Sequence, residues 1–486
     1  MIWPESATGN RTIGLFWAFS FILLASLGMA IYWQNVFILV IPLLFVVIGV
    51  VLTDYSILYY LLLIAIPFSV EVDLPNGLGT DLFSEPLIIL LAGCTLGSWL
   101  LGAKQNPHFW KHSLIKMLLL VFMWAVVTTL FSENYVRSVK YLLAKSWYLL
   151  VFVFLTSSLL QNPATLQKYL YFFMGALGIV VGITLLRHAQ VGFSFGLVNK
   201  IVAPFLRNHV AYGALAAAAL PFSVYLTLYQ KNKFWQALWG MVSLLLLAGV
   251  AASYTRASWL SLPLALAYAL VIRFRLTRYL LLSVFIICLG TVLYFSSNYR
   301  YMQYAPEYEK TIFNQGDITK HLKATYTLRD VSGMERVYRW IAAARMVAAK
   351  PVMGHGPNSF YPEYFKYTVS RFTTYVSDNP EKSTVHNYFL LQFAEQGYPG
   401  GILFLILMGY ALLLPEKLYH RAATTPEFKK ITLAAGLCFF IITVHLFLNE
   451  LVETDKIGFL FYFSLVVLIR LDIWTTEKGK VIDVKF

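Results

Sequence analysis

The 486-residue chain is 59% hydrophobic and 13% charged, with a mean hydropathy of +0.66. A water-soluble domain is about half apolar and about a quarter charged, so a soluble globular class is excluded and the apolar surplus must face lipid. The net charge of +14 would suit a polyanion, but its placement along the chain makes it a topology signal and leaves nucleic acid out of the expected partners.

The apolar residues come in blocks such as 36–52, 114–130, 280–295 and 431–448. Each is close to the ~20 residues that carry a helix through ~30 Å of hydrocarbon. They lack the alternation of barrel strands, and a helix satisfies its own backbone in lipid. The leading segment holds Glu5 and runs into a span-length stretch, which reads as a retained helix rather than a cleaved signal. In chain order the expected spans are 12–32, 35–53, 55–70, 86–102, 114–131, 143–160, 169–187, 209–229, 234–252, 258–273, 279–296, 399–415, 430–448 and 456–473. The predicted fold is an all-α integral membrane protein with about 12–14 transmembrane helices and one large helical extracytoplasmic loop. Residues 1–296 form the main bundle, 297–398 the loop, 399–474 the C-terminal spans and 475–486 a cytoplasmic tail.

Orientation follows from loop charge. Lys104, Lys111, Lys116, Lys168, Lys231, Lys233, Arg273, Arg275, Arg278, Lys417, Arg421, Lys429 and Lys430 fall on one side, and the tail adds Lys478, Lys480 and Lys485. The opposite side carries acidic loops with Glu71, Asp73, Asp81 and Glu85, and with Glu450, Glu453 and Asp455. Both termini are therefore expected in the cytoplasm. Cys94, Cys288 and Cys438 all lie within apolar blocks, which gives no disulfide framework, and neither a metal nor another cofactor is expected.

Within the long loop, residues 334–349 have helical spacing, with Val337, Ile341, Ala344 and Val347 as the apolar face. Several basic residues break the charge rule on the outer side: Arg207, Arg256, Arg336, Arg339, Arg345, Arg371, and Arg137, Lys140 and Lys145 near the sixth span. Arginines gathered at one membrane surface suit a phosphate, which their planar fork binds through paired hydrogen bonds. The competing reading is contact with lipid headgroups or loop carboxylates. Ser258 is expected to cap the helix after Arg256. The run from Gly354 to Phe360, which includes Asn358, reads as a tight turn that can present N–H groups to a ligand. His386, next to Asn387, is the candidate base, against a plain structural histidine. Glu395, nine residues on, lies ~180° around a straight helix and is expected to cap or pack. Glu450 or Glu453 is left as a carboxylate that could reach the histidine.

Five stretches together resemble the O-antigen ligase / O-antigen polymerase family of bacterial membrane glycosyltransferases. They are Phe205-Leu206-Arg207-Asn208-His209; Thr255-Arg256-Ala257-Ser258-Trp259; Ser332-Gly333-Met334-Glu335-Arg336 with Trp340 and Pro351; the Gly354–Phe360 turn; and His386-Asn387 with Glu395 and Gly397. The chain departs in having Thr255 before Arg256, and Met334 and Glu335 between Gly333 and Arg336, so Arg339 stays an alternative to Arg336. The resemblance implies transfer of a glycan from an undecaprenyl-pyrophosphate carrier to an acceptor hydroxyl, lipid A–core or similar. The enzyme would sit in the bacterial inner membrane among its lipids, with the site facing the periplasm and no metal required. It implies that Arg256 and Arg336 hold the leaving pyrophosphate and that His386 takes the proton from, or positions, the acceptor hydroxyl. Arg207, Asn208, Arg339, Asn358 and Asn387 are implied to bind substrate. A polymerase extending lipid-linked repeats, and a transporter of lipid-linked glycans, are the alternatives.

Overall fold

A computed structural model describes residues 8–35, 38, 41–42, 49–51, 54–73, 79–304, 331–374, 377–379, 383–421 and 425–476. Its helices are α1 Thr8–Tyr32, α2 Ser56–Phe68, α3 Ser84–Leu100, α4 Pro107–Lys111, α5 Ser113–Leu130, α6 Tyr135–Leu159, α7 Pro163–Gln190, α8 His209–Tyr229, α9 Lys233–Ala252, α10 Arg256–Arg273, α11 Thr277–Ser296, α12 Val331–Ala349, α13 Tyr388–Tyr419, α14 Pro426–Leu446 and α15 Asp455–Thr476. Among the described residues the only strands form a two-stranded antiparallel hairpin, Val70–Asp73 with Gly79–Leu82.

The protein is an all-α integral membrane protein. Among the described residues nine helices are long and apolar enough to cross a membrane: α5 to α9, α11 and α13 to α15. Trp17–Tyr32, α2 and α3 are shorter apolar helices, and α10 has 18 residues with an arginine at each end. Most of the span expected at 35–53, all of 305–330 and the tail lysines lie outside the described residues.

The chain divides into two compact units, 1–62 and 63–486. In the larger unit α15 is the central pillar, 94% buried across its apolar window, while α11 is 0% buried across its own. Apolar side chains exposed all round are what a lipid-facing helix requires.

Helix alternation assigns each connection to one end of this bundle, and the polar contacts agree. At one end Ser69 and Ser84 donate to Asp455 at 2.9 and 2.6 Å, and Asn134 donates to Glu363 at 2.9 Å. At the other, His112 meets Asp472 at 3.2 Å, the Thr277 N–H donates to Glu416 at 2.9 Å, and Arg470 donates to the Leu160 carbonyl at 2.8 Å. The outer-loop arginines and His386 all belong to the first end, and the main basic loops to the second.

Some expected elements are shifted. The span expected from 143 begins at Tyr135, and Leu149–Leu155 within it is π-helical. In α12 the buried positions are Met334, Glu335, Tyr338, Arg339, Ala342, Ala343, Met346 and Val347, while Ala344 is exposed. The buried face is rotated from the one predicted, toward Met334, Tyr338 and Met346, with Glu335 and Arg339 paired within it. The rotation carries Arg339 inward.

Candidate active site

The site is assembled from helix ends. Asn208 caps α8, its side-chain oxygen accepting from the Ala211 N–H at 2.9 Å. Thr255, rather than Ser258, is the N-cap of α10. It makes no side-chain cap bond; its hydroxyl donates instead to the His209 carbonyl at 3.1 Å. That contact joins the starts of α8 and α10, so Arg207, Asn208 and Arg256 lie together. Gly213 permits the approach, since a Cβ there would stand 2.5 Å from Ser253 Oγ and 2.7 Å from Ser258 Oγ. Arg207 is exposed and Arg256 half-buried as the first residue of its helix. A cation is unfavourable at the positive end of a helix dipole, and both the dipole and the side chain favour an anion there.

Ser258 lies in the first turn of α10, buried, with its hydroxyl 3.4 Å from His445 Nε2. The His445 carbonyl accepts from the Asn449 N–H at 2.9 Å, and the Asn449 side chain acts on the ring of His386. Three successive contacts therefore connect the Arg256 helix end to His386.

His386 stands in the left-handed region at φ 55, an uncommon conformation for a residue with a Cβ. Burial first, then the positive charges of Arg339 and Arg336, hold its imidazole down to about 3. Its Nδ1 is buried and has no hydrogen-bond partner among the described residues. The ring is neutral at physiological pH and one nitrogen is directed at nothing the described protein supplies.

Arg336 and Arg339 both reach this ring electrostatically, but they differ in setting. Arg339 is 5% exposed. It donates to Ser383 Oγ at 2.7 Å and lies 3.5 Å from Glu335; Glu335 in turn accepts from Thr374 and Ser377. That network fixes the segment leading into His386. Arg336 is half-buried one turn before Trp340, at the border of the α12 buried face, and is the better placed of the two to meet a ligand.

Asn387 caps α13, accepting from the Leu390 N–H at 3.0 Å. Asn358 lies in the turn with an exposed side chain and φ 56. The turn's N–H groups do not serve a ligand as expected: those of Asn358 and Phe360 donate to the two carboxyl oxygens of Glu395 at 2.9 and 3.0 Å. Glu395 thus packs the turn against α13 and stays away from His386.

The outer carboxylates also have distinct partners. Glu453 accepts from Lys145 Nζ at 2.9 and 3.0 Å and from the hydroxyls of Tyr141 and Tyr388. Lys145 therefore belongs to a half-buried ion pair rather than to an anion site. Glu450 is the acid beside the site; burial pushes its carboxyl up, and Thr384 and Arg339 offset part of that. Asn449 was not foreseen, and its polarity within an apolar span end is the only signal the sequence offers.

These features define a multi-pass membrane protein with a cationic, histidine-bearing site at one end of its helix bundle. Residues 241–405 match the family model for O-antigen ligase; no curated protein matches the chain. The matched stretch, about a third of the chain, holds Arg256, Arg336, Arg339, Asn358, His386 and Asn387, and over it the chain is similar to the O-antigen ligase family of membrane glycosyltransferases of the ligase and polymerase type. Such a family works on lipid-linked glycans and their acceptors.

Proposed function

We propose that this protein is a ligase-type glycosyltransferase, moving a glycan from undecaprenyl pyrophosphate to an acceptor hydroxyl, of lipid A–core or a similar molecule, on the periplasmic side. The observation that carries the reading is the convergence of Arg336 and Arg339 on a half-buried, neutral His386, linked through Asn449, His445 and Ser258 to the Arg256 helix end.

The chemistry follows from those groups. Pyrophosphate is an activated leaving group, and the guanidinium groups of Arg256 and Arg336 would stabilise the negative charge that builds on it as the glycosidic bond breaks. Neutral His386 would accept the proton of the attacking hydroxyl, giving a direct displacement with inversion at the sugar. Arg336 and Arg339 also hold the imidazole at low basicity. A bound diphosphate would cancel their field, so the base gains strength when the donor is in place.

The test is to incubate purified protein with lipid-linked glycan and separate acceptors. Glycan joined to lipid A–core is the expected product, and longer lipid-linked glycan would assign the polymerase reaction instead. Arg256→Ala and His386→Ala should each abolish transfer while the protein remains in the membrane; full activity of both overturns the mechanism.

A further inference from the structure

At the end of the bundle opposite the candidate site, an open cavity of ≈ 710 Å³ lies where α3 and α6 finish, beside the last turns of α15. Its lining carries three basic side chains, Lys104, His108 and Arg470, together with neutral polar groups such as Ser157, Ser158 and Gln161. Among the residues lining it there is no carboxylate. Arg470 is 5% exposed, donates to the Leu160 carbonyl at 2.8 Å, and stacks over Trp474 at 5.7 Å. This holds its guanidinium in a fixed orientation. Lys104 and His108 are exposed at the rim.

We infer that this cavity binds the anionic, phosphate-bearing headgroup of a membrane phospholipid. A fixed arginine with an exposed lysine at the rim matches a phosphate. The cavity is level with the ends of spanning helices, where headgroups lie, and basic pockets between transmembrane helices are known sinks for anionic lipids. Its size is within the ~300–1,000 Å³ of small-molecule sites, more than a bare phosphate fills. The inference does not depend on the transfer reaction, whose groups are all at the other end.

The test uses the full chain in neutral detergent, with bound lipid counted by native mass spectrometry at rising salt. Phosphatidylglycerol should be retained and phosphatidylcholine should not. Lys104→Gln and His108→Gln should each weaken phosphatidylglycerol binding, about fivefold for the lysine. Lys231→Gln, an exposed lysine on the same side by helix order, should leave it unchanged. Arg470→Gln should remove it, but because that side chain also braces Leu160 the two rim variants are the decisive ones. Displacement of the lipid by inorganic phosphate supports phosphate as the recognised group. Inorganic phosphate binding as tightly as the lipid overturns the lipid assignment, and equal binding in parent, rim variants and Lys231→Gln overturns the site.

Discussion

Glu395→Gln isolates what ties the glycine turn to α13. The carboxyl accepts two backbone N–H groups, one on each oxygen, at 2.9 and 3.0 Å. A glutamine of the same size keeps one acceptor and turns an amide N–H₂ toward the other donor. One bond is lost and a buried backbone donor is left unsatisfied, a cost of about 1–3 kcal/mol. If the turn opens locally, the amides of residues 354–360 should exchange roughly 5- to 150-fold faster in the variant, while those of α9 stay at the parent rate. Glu395→Ala, which strands both donors, should exceed the glutamine effect. Hydrogen exchange read by mass spectrometry on detergent-solubilised protein gives the answer. Exchange over 354–360 within twofold of the parent in the glutamine variant would refute the argument that this carboxyl holds the turn.

The two loop arginines should separate. Arg336→Gln should abolish glycan transfer with little change in thermal stability, whereas Arg339→Gln, which breaks a buried network, should cost about 3 kcal/mol or more; melting and transfer measured on the same preparations distinguish them. His386 is held near 3 against 6.5 for a free imidazole. Between these values the unfolded chain binds a proton that the folded chain does not, so stability should fall as pH drops from about 6.5 toward 3, by up to about 1.4 kcal/mol per pH unit, and be insensitive to this group above. His386→Gln should flatten that slope in denaturation midpoints taken from pH 4 to 8. Asn208→Ala and Asn387→Ala should each cost about 1 kcal/mol as lost caps, and Ser at either position should restore stability. Recovery of transfer along with stability would assign these residues to capping, and stability without transfer would assign them to substrate.

The spans were legible where a helix is apolar from end to end: the expected 209–229 matches α8 residue for residue. They were less so where charge is hidden by a distant partner. Arg137, Lys140 and Lys145 disguised the first turns of α6, because Lys145 is neutralised by Glu453, 308 residues away. The span expected from 399 begins earlier, at Tyr388, because the backbone breaks at Gly397 and helix continues on its near side. Arginine and histidine announced the site through chemistry that apolar loops do not need. Asn449 and the inward turn of Arg339 depend on how three distant helix ends meet, and no local pattern encodes that.

The break in α13 has a mechanical consequence. Gly397 sits at φ 67, ψ −174, and a Cβ there would stand 2.2 Å from the Val352 carbonyl oxygen. The Tyr398 N–H donates to the Pro351 carbonyl at 2.7 Å, and the Gly356 N–H to the Glu395 carbonyl at 2.8 Å. A helix unbroken from 388 to 419 would pass any tilt of its membrane half straight to His386. The interrupted ladder instead works as a universal joint, and the clasp on 351–356 makes the histidine's short helix a passenger of the outer loop.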